Sequence, residues 1–341
     1  MSHPYLRPKP GYKRKPKPQA EEYDELEETE GAEEPAISDA PAFLGPLKIS
    51  DTLHIPLSVV TQKLAFLGIS GSGKTYGSSK LVETMLNAGA QVVIVDTVGN
   101  WAGLRLKADG KTPAFPIPIA GGDYSDFDLK VSDGKNAARA VVETRSPLIL
   151  DVSDFVEEEL MEFTLHFATE LLRLKKKSKW PVMVVWEECQ EIVPQVRKGG
   201  KEGGATLNAV VRLIKKGRNY GVGTILISQR TAAVSKEVLN QAETLFAFRQ
   251  NAKLDRKAIQ DWVVDKSIDV LDLVEQMPTL ETGECFCWSP QWLGVLKRIK
   301  FRKKLTYDGS STPEFGKDPI SMQVEPIEPP ELRKYFNENK D

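Results

Sequence analysis

Between residues 45 and 305 the chain alternates short, unbroken apolar runs with longer amphipathic stretches. The runs fall at 63–67, 91–95, 147–152, 182–186, 224–228 and 245–248. They are rich in Val, Ile and Leu and show no polar alternation, which predicts strands buried on both faces, as in a parallel sheet. Helical spacing separates them. Over 155–175, Leu160, Phe163, Phe167, Leu171 and Leu174 fall near one side of a helix, and 205–216 repeats the pattern. A further helix is predicted at 76–88, directly after the first run. Strand–helix alternation of this kind predicts an α/β fold with a mostly parallel central sheet and right-handed crossovers. Ligands of such sheets bind at the carboxyl ends of the strands. The stretch 283–300 alternates apolar positions and carries two tryptophans, which predicts a hairpin at the sheet edge.

Composition bounds the class. With 341 residues, 40% hydrophobic and 28% charged, the chain suits a globular protein of one large domain with tails, or two small domains. A net charge of −2 hides a strong asymmetry at the N-terminus. Residues 1–18 carry Arg7, Lys9, Lys13, Arg14, Lys15 and Lys17 among prolines, and 21–34 are acidic. Neither half has enough apolar surface to offset chain entropy, so 1–44 reads as a disordered charged tail. Its basic half is either an arm for nucleic acid or a partner, or a solvated tail masked by the acidic block. From 306 to 341 Pro and acids dominate, which reads as an extended tail that either braces a neighbouring subunit or stays free. The folded core is therefore placed at 45–305. Cys189, Cys285 and Cys287 are too few for a disulfide framework and fit a reducing cytoplasm. Cys285 and Cys287 share one strand face and read as buried free thiols. No apolar run reaches membrane-spanning length, and the first residues lack a signal-peptide core.

The first apolar run ends at Gly68, where G-x-x-x-x-G-K-T begins: Gly68, Gly73, Lys74 and Thr75. This is the phosphate-binding loop of nucleoside triphosphatases. The glycines, Gly71 included, let the backbone approach the phosphates, and the N–H groups of residues 70–74 can point at the anion. Lys74 adds charge at the β- and γ-phosphates, and the Thr75 hydroxyl is placed for Mg²⁺. The helix that follows turns its positive end to the phosphates. Gly68, Ser70, Gly71, Ser72, Gly73, Lys74, Thr75 and Tyr76 are thus expected around ATP.

The remaining chemistry is expected at other strand ends. The 182–186 run ends in Glu187 and Glu188. Successive strand residues point to opposite faces, so Glu187 is assigned to the metal and Glu188 to the attacking water. Gln229, ending the 224–228 run, is placed to contact the γ-phosphate or that water. Asp96 either supports the magnesium or caps the turn after its strand. Arg218 is either an arginine finger reaching a neighbouring subunit's site or a cation satisfying a helix end. The glycine-rich stretch 197–204, with Arg197, Lys198 and Lys201, is either a DNA-gripping loop or a plain surface loop. Cations over 173–179 suit a helix C-terminus, and His166 reads as packed rather than catalytic.

Taken in order, these motifs resemble the HerA/FtsK-type ATPases, specifically the central domain of HerA-like DNA translocases. The match rests on 68–75, on Val92–Asp96 with Trp101–Leu104, on Glu187–Glu191, on Lys216–Gly221, on Ser228–Arg230 and on Val238–Gln241. The resemblance implies a RecA-like P-loop fold, a homo-hexameric ring and ATP-driven movement on double-stranded DNA, with a nuclease or other DNA-processing partner. It also implies the finger role for Arg218. Three departures stand out. A short lead-in precedes Gly68 where relatives often carry a β-barrel. Glu187 stands where many P-loop enzymes have Asp. Asn100 replaces an acid often found before the aromatic. Two rival readings remain: a P-loop small-molecule kinase, and an ATP-dependent switch or scaffold without motor activity.

Overall fold

The computed structural model describes residues 45–196, 200–263, 268–310, 315, 322–327 and 329–336. The expected tail at 1–44 lies outside the described residues. So do Arg197 and Lys198 of the proposed basic loop.

Eleven strands are described. A two-stranded ribbon, β1 (Leu47–Lys48) with β2 (His54–Ile55), leads into the central sheet. The sheet comprises β3 (Lys63–Leu67), β4 (Val92–Asp96), β5 (Ile119–Ala120), β6 (Leu148–Asp151), β7 (Val182–Trp186), β8 (Val222–Ser228), β9 (Thr244–Phe248), β10 (Glu284–Ser289) and β11 (Val295–Lys300). Their order is β11-β10-β9-β3-β8-β7-β4-β6-β5. The pairs from β9 to β5 are parallel, and β10–β11 adds the antiparallel edge hairpin that the 283–300 pattern predicts.

Both faces of the sheet are covered, which is why its strands read as continuous apolar runs. Odd and even residues sort cleanly. Ala65, Leu67, Val93, Val95, Val184 and Trp186 face one core, and Leu64, Phe66, Val92, Ile94, Met183 and Val185 face the other. The first core is closed by α2 (Gly134–Thr144), α3 (Glu157–Lys175) and α4 (Gly200–Gly217). The short α5 (Lys236–Leu239) and the helices α6 (Lys253–Trp262) and α7 (Ile268–Gln276) close its far end. The second core is closed by α1 (Lys74–Asn87) and the β1–β2 ribbon, with Phe66, Phe246, Phe248 and Phe301 stacked at 4.5–6.2 Å between ring centres.

The order puts β8 between β3 and β7, so the phosphate loop and the acidic strand end face each other across one intervening strand. Cys285 and Cys287 are fully buried on one face, and burial pushes both thiols up, Cys287 to about 12, leaving them inert. His166 is half-buried against α2. Among the described residues no helix is long and apolar enough to cross a membrane.

Several of the described residues after 305 pack on this chain's own core. Thr306 bridges to Lys107, Ile327 N–H donates to Asp126 at 2.7 Å, and Arg105 donates to the Glu325 carbonyl. Arg105 and Asp126 form a buried ion pair beneath this strand-like return. Leu332, Tyr335 and Phe336 are buried, with Phe336 6.0 Å from Phe127. The alternatives of free chain or a brace on a neighbour thus meet a third outcome for these residues, packing within the chain.

Candidate nucleotide site

The loop from Gly68 to Gly73 joins β3 to α1. Gly73 has φ +92°, a left-handed conformation that favours glycine, and an added Cβ would lie 2.7 Å from the Gly283 backbone nitrogen. The turn before β10 braces the loop from outside. Gly283 N–H donates to the Ser72 carbonyl at 2.9 Å, and Thr282 Oγ1 to the Gly71 carbonyl at 3.2 Å. Ser70, Gly71, Gly73, Lys74, Thr75 and Tyr76 line a cavity of about 620 Å³. Gly68 and Ser72 do not. Ser72 is buried and its N–H and Oγ both donate to the Ile69 carbonyl, so it shapes the loop instead of facing a ligand. Gly68 is packed between Phe248 and Ser72, with room for no side chain.

Across the cavity stand the two glutamates. Thr75 Oγ1 donates to Glu187 Oε1 at 3.1 Å, and Lys74 Nζ lies 3.2 Å from Glu188 Oε1. The two acids therefore separate, one to the hydroxyl and one to the ammonium. Glu187 is 1% exposed. Burial, with Asp96 and Glu188 nearby, pushes its carboxyl up to about 8 against the pull of Lys74 and a bond from Trp101. Glu188 holds φ +39°, uncommon for a residue with a side chain, at a cost of roughly 1 kcal/mol. Such strain is characteristic of functional positions.

Asp96 is a turn cap. It accepts N–H bonds from Val98, Gly99 and Trp101 at 2.9–3.0 Å. Burial and the neighbouring Asp151 raise it to about 6 despite those bonds. The capped turn delivers two residues that motif reading did not assign to the site. Trp101 Nε1 donates to Glu187 Oε2 at 3.1 Å, and Asn100 lines the cavity. Gln190 is a third. Its Nε2 donates to Glu188 Oε2 at 2.7 Å, and its Oε1 accepts from Ser228 Oγ at 2.6 Å. Gln229 lines the cavity, and its N–H donates to Glu188 Oε2 at 3.3 Å. Side-chain reach across strands, from Gln190 to Ser228 and from Trp101 to Glu187, is invisible to spacing.

Arg218 is not brought to this site. It follows α4 at the amino end of β8, whereas Ser228 ends that strand at the cavity, about 20 Å away at strand rise. It pairs with Glu243 at 2.7 Å with its side chain 48% exposed.

The donor set suits magnesium: a hydroxyl and a carboxylate, both hard oxygens, in a net acidic corner. Among the described residues no group of three His, Cys, Asp or Glu side chains could hold a metal. An ion here would take its further oxygens from a nucleotide's phosphates.

The family model of the HerA helicase central domain matches residues 43–279. A probable helicase of Methanocaldococcus jannaschii is 27% identical over 175 residues, covering 51% of this chain and 28% of the relative. The DNA double-strand break repair helicase HerA of Sulfurisphaera tokodaii is 25% identical over 145 residues, covering 40% of this chain and 28% of the relative. The alignments thus span less than a third of each relative's length. Among solved structures, the bacterial conjugative coupling protein TrwBdeltaN70 superposes with a TM-score of 0.51 at 12% identity, covering 76% of this chain and 89% of that one. That likeness speaks for the fold. With the phosphate loop and the paired acids in place, and with most of the core matched by the family model, the chain belongs to the HerA helicase central-domain family and is a P-loop ATPase domain of that kind.

Proposed function

We propose that this protein hydrolyses ATP with Mg²⁺ as a ring, most simply a homo-hexamer, and uses the cycle to move along or process double-stranded DNA in the cytoplasm. The convergence of Lys74, Thr75, Glu187 and Glu188 on one cavity carries this reading. Phosphoryl transfer needs positioning and charge neutralisation more than covalent help. Loop N–H groups and Lys74 take the β- and γ-phosphates. Thr75 and Glu187 would hold Mg²⁺, which when bound neutralises phosphate charge. Entry of the γ-phosphate draws Lys74 away from Glu188, freeing that carboxylate to orient water. The nucleotide thereby arms its own base. Gln229 sits beside both and is the reporter of the γ-phosphate.

Gln190 positions Glu188 in this scheme. Gln190→Ala is expected to lower turnover about tenfold while the KM for ATP stays within about twofold, because one part-buried hydrogen bond to a carboxylate is lost. A change in KM alone, measured by steady-state hydrolysis, would assign Gln190 to packing.

The functional reading is tested by ATP turnover of the full chain with and without duplex DNA, alongside particle mass. DNA-stimulated hydrolysis by a hexamer is expected. Acceptor-dependent phosphate transfer by a monomer would make the protein a kinase, and ATP binding with negligible turnover would make it a switch.

A further inference from the structure

One wall of the cavity comes from the segment after β11. Phe301, Lys303, Asp308 and Ser310 line it, next to the first turn of α1. This segment is clamped onto α1 by a buried node. Glu83, 2% exposed, accepts the N–H groups of Leu305 and Thr306 at 2.7 and 3.1 Å and Thr306 Oγ1 at 3.2 Å, while Lys80 pairs with it at 2.6 Å. Lys304 adds a second anchor. Its N–H donates to the Tyr76 hydroxyl at 2.9 Å, and its ammonium lies 5.4 Å from the Tyr76 ring centre. Backbone bonds from Ala108 to Leu305 and from Tyr307 to Leu106, each 2.9 Å, fix the other side. Gly309 passes so close to Asn100 that an added Cβ would lie 2.5 Å from its carbonyl oxygen.

The clamp makes this wall a rigid part of the site. With the triphosphate over the loop and its γ-end at the glutamates, the nucleoside must leave toward Tyr76 and this wall. Asp308 is the chemical feature there. Ser310 donates to its Oδ1 from both N–H (3.3 Å) and Oγ (2.7 Å), and Lys304 Nζ lies 3.5 Å from the same oxygen. Among the described residues these contacts all fall on Oδ1, and Oδ2 is the oxygen assigned to a ligand. A carboxylate fixed at the nucleoside end of a phosphate site is suited to accept ribose hydroxyls.

We propose that the segment 301–310 forms the sugar-recognising half of the nucleotide site, with Asp308 accepting the ribose hydroxyls and so selecting ribonucleoside over deoxyribonucleoside triphosphates. This rests on the ATP reading of the same cavity. For an enzyme working beside DNA, such a residue also keeps deoxynucleotides out of the motor.

The test measures binding and hydrolysis of ATP and dATP by the full-length protein and its Asp308→Ala and Asp308→Asn variants. Wild-type protein is expected to favour ATP by about tenfold in KM, since a site built around a hydroxyl penalises the analogue that lacks it. Asp308→Ala should raise the KM for ATP by a similar factor, leave kcat within about twofold, and erase the preference. Asp308→Asn, which keeps an acceptor oxygen, should retain part of it. Equal handling of ATP and dATP by all three proteins, with both nucleotides lost in Lys74→Ala, would overturn the sugar assignment and leave the ATP reading standing. Absence of binding to either nucleotide by wild-type protein would bring down both.

Discussion

Lys74→Ala is expected to cut ATP turnover about a thousandfold or more while the protein stays folded. The lysine is 6% exposed and faces the cavity, 3.2 Å from Glu188. Losing a preorganised cation from the cavity removes charge stabilisation of the terminal phosphate, the largest single contribution in phosphoryl transfer. Stability also falls. Glu188 is left buried beside Glu187 without its counter-ion, at a cost of about 3–5 kcal/mol when one partner of a buried ion pair is removed. A domain of this kind typically has about 5–15 kcal/mol to draw on. Circular dichroism should therefore show an unchanged fold with a lower melting temperature, and a phosphate-release assay should show almost no activity. Near-normal turnover would defeat the site assignment.

Arg218→Ala is the second large effect. If Arg218 acts across a subunit boundary, its loss should reduce turnover by about a thousandfold, with ATP binding by each chain unchanged. Mixing the variant with Glu188→Gln, itself inactive, should restore part of the activity, because a mixed boundary can pair an intact cavity from one chain with an intact arginine from the next. Arg218 lies at the end of β8 remote from its own cavity, and a finger placed there can serve only another copy. Its pair with Glu243 is solvent-screened and worth about 0–1 kcal/mol, so docking a neighbour can break it cheaply. Loss of less than twofold, or no rescue in assemblies shown by native mass spectrometry to mix, would leave Arg218 as a cation at a helix end.

The elements that motif reading located well are those whose signal is local. The runs at 63–67 and 182–186 coincide with β3 and β7, and the helix after Gly73 begins at Lys74. Burial on both faces forces each strand to be apolar throughout, and that needs no knowledge of neighbours. α2 was not located. Its buried positions are Gly134, Ala137, Ala138, Ala140 and Val141, too small to make a conspicuous apolar stripe, although they let α3 pack closely against it.

Strand alternation assigns Glu187 to the metal and Glu188 to the attacking water, and the contacts add that Glu187 accepts from Thr75 while Glu188 pairs with Lys74. The choice at Asp96 needed coordinates, since a carboxylate at a strand end is equally suited to a metal or to three backbone N–H groups. Ser72 shows the limit of a motif. The consensus counts it within a phosphate loop, while the local turn directs its hydroxyl to Ile69.

By itself, the order of residues determined the sheet, the phosphate loop and the pair of acids, because hydrophobic burial and backbone geometry act over a few neighbouring positions. Only the tertiary structure decided what surrounds them. Ser228 holding Gln190, Trp101 holding Glu187, and the 301–310 segment walling the cavity through Glu83 all join residues distant along the chain. Such contacts arise from strand order and chain return, which no local pattern encodes.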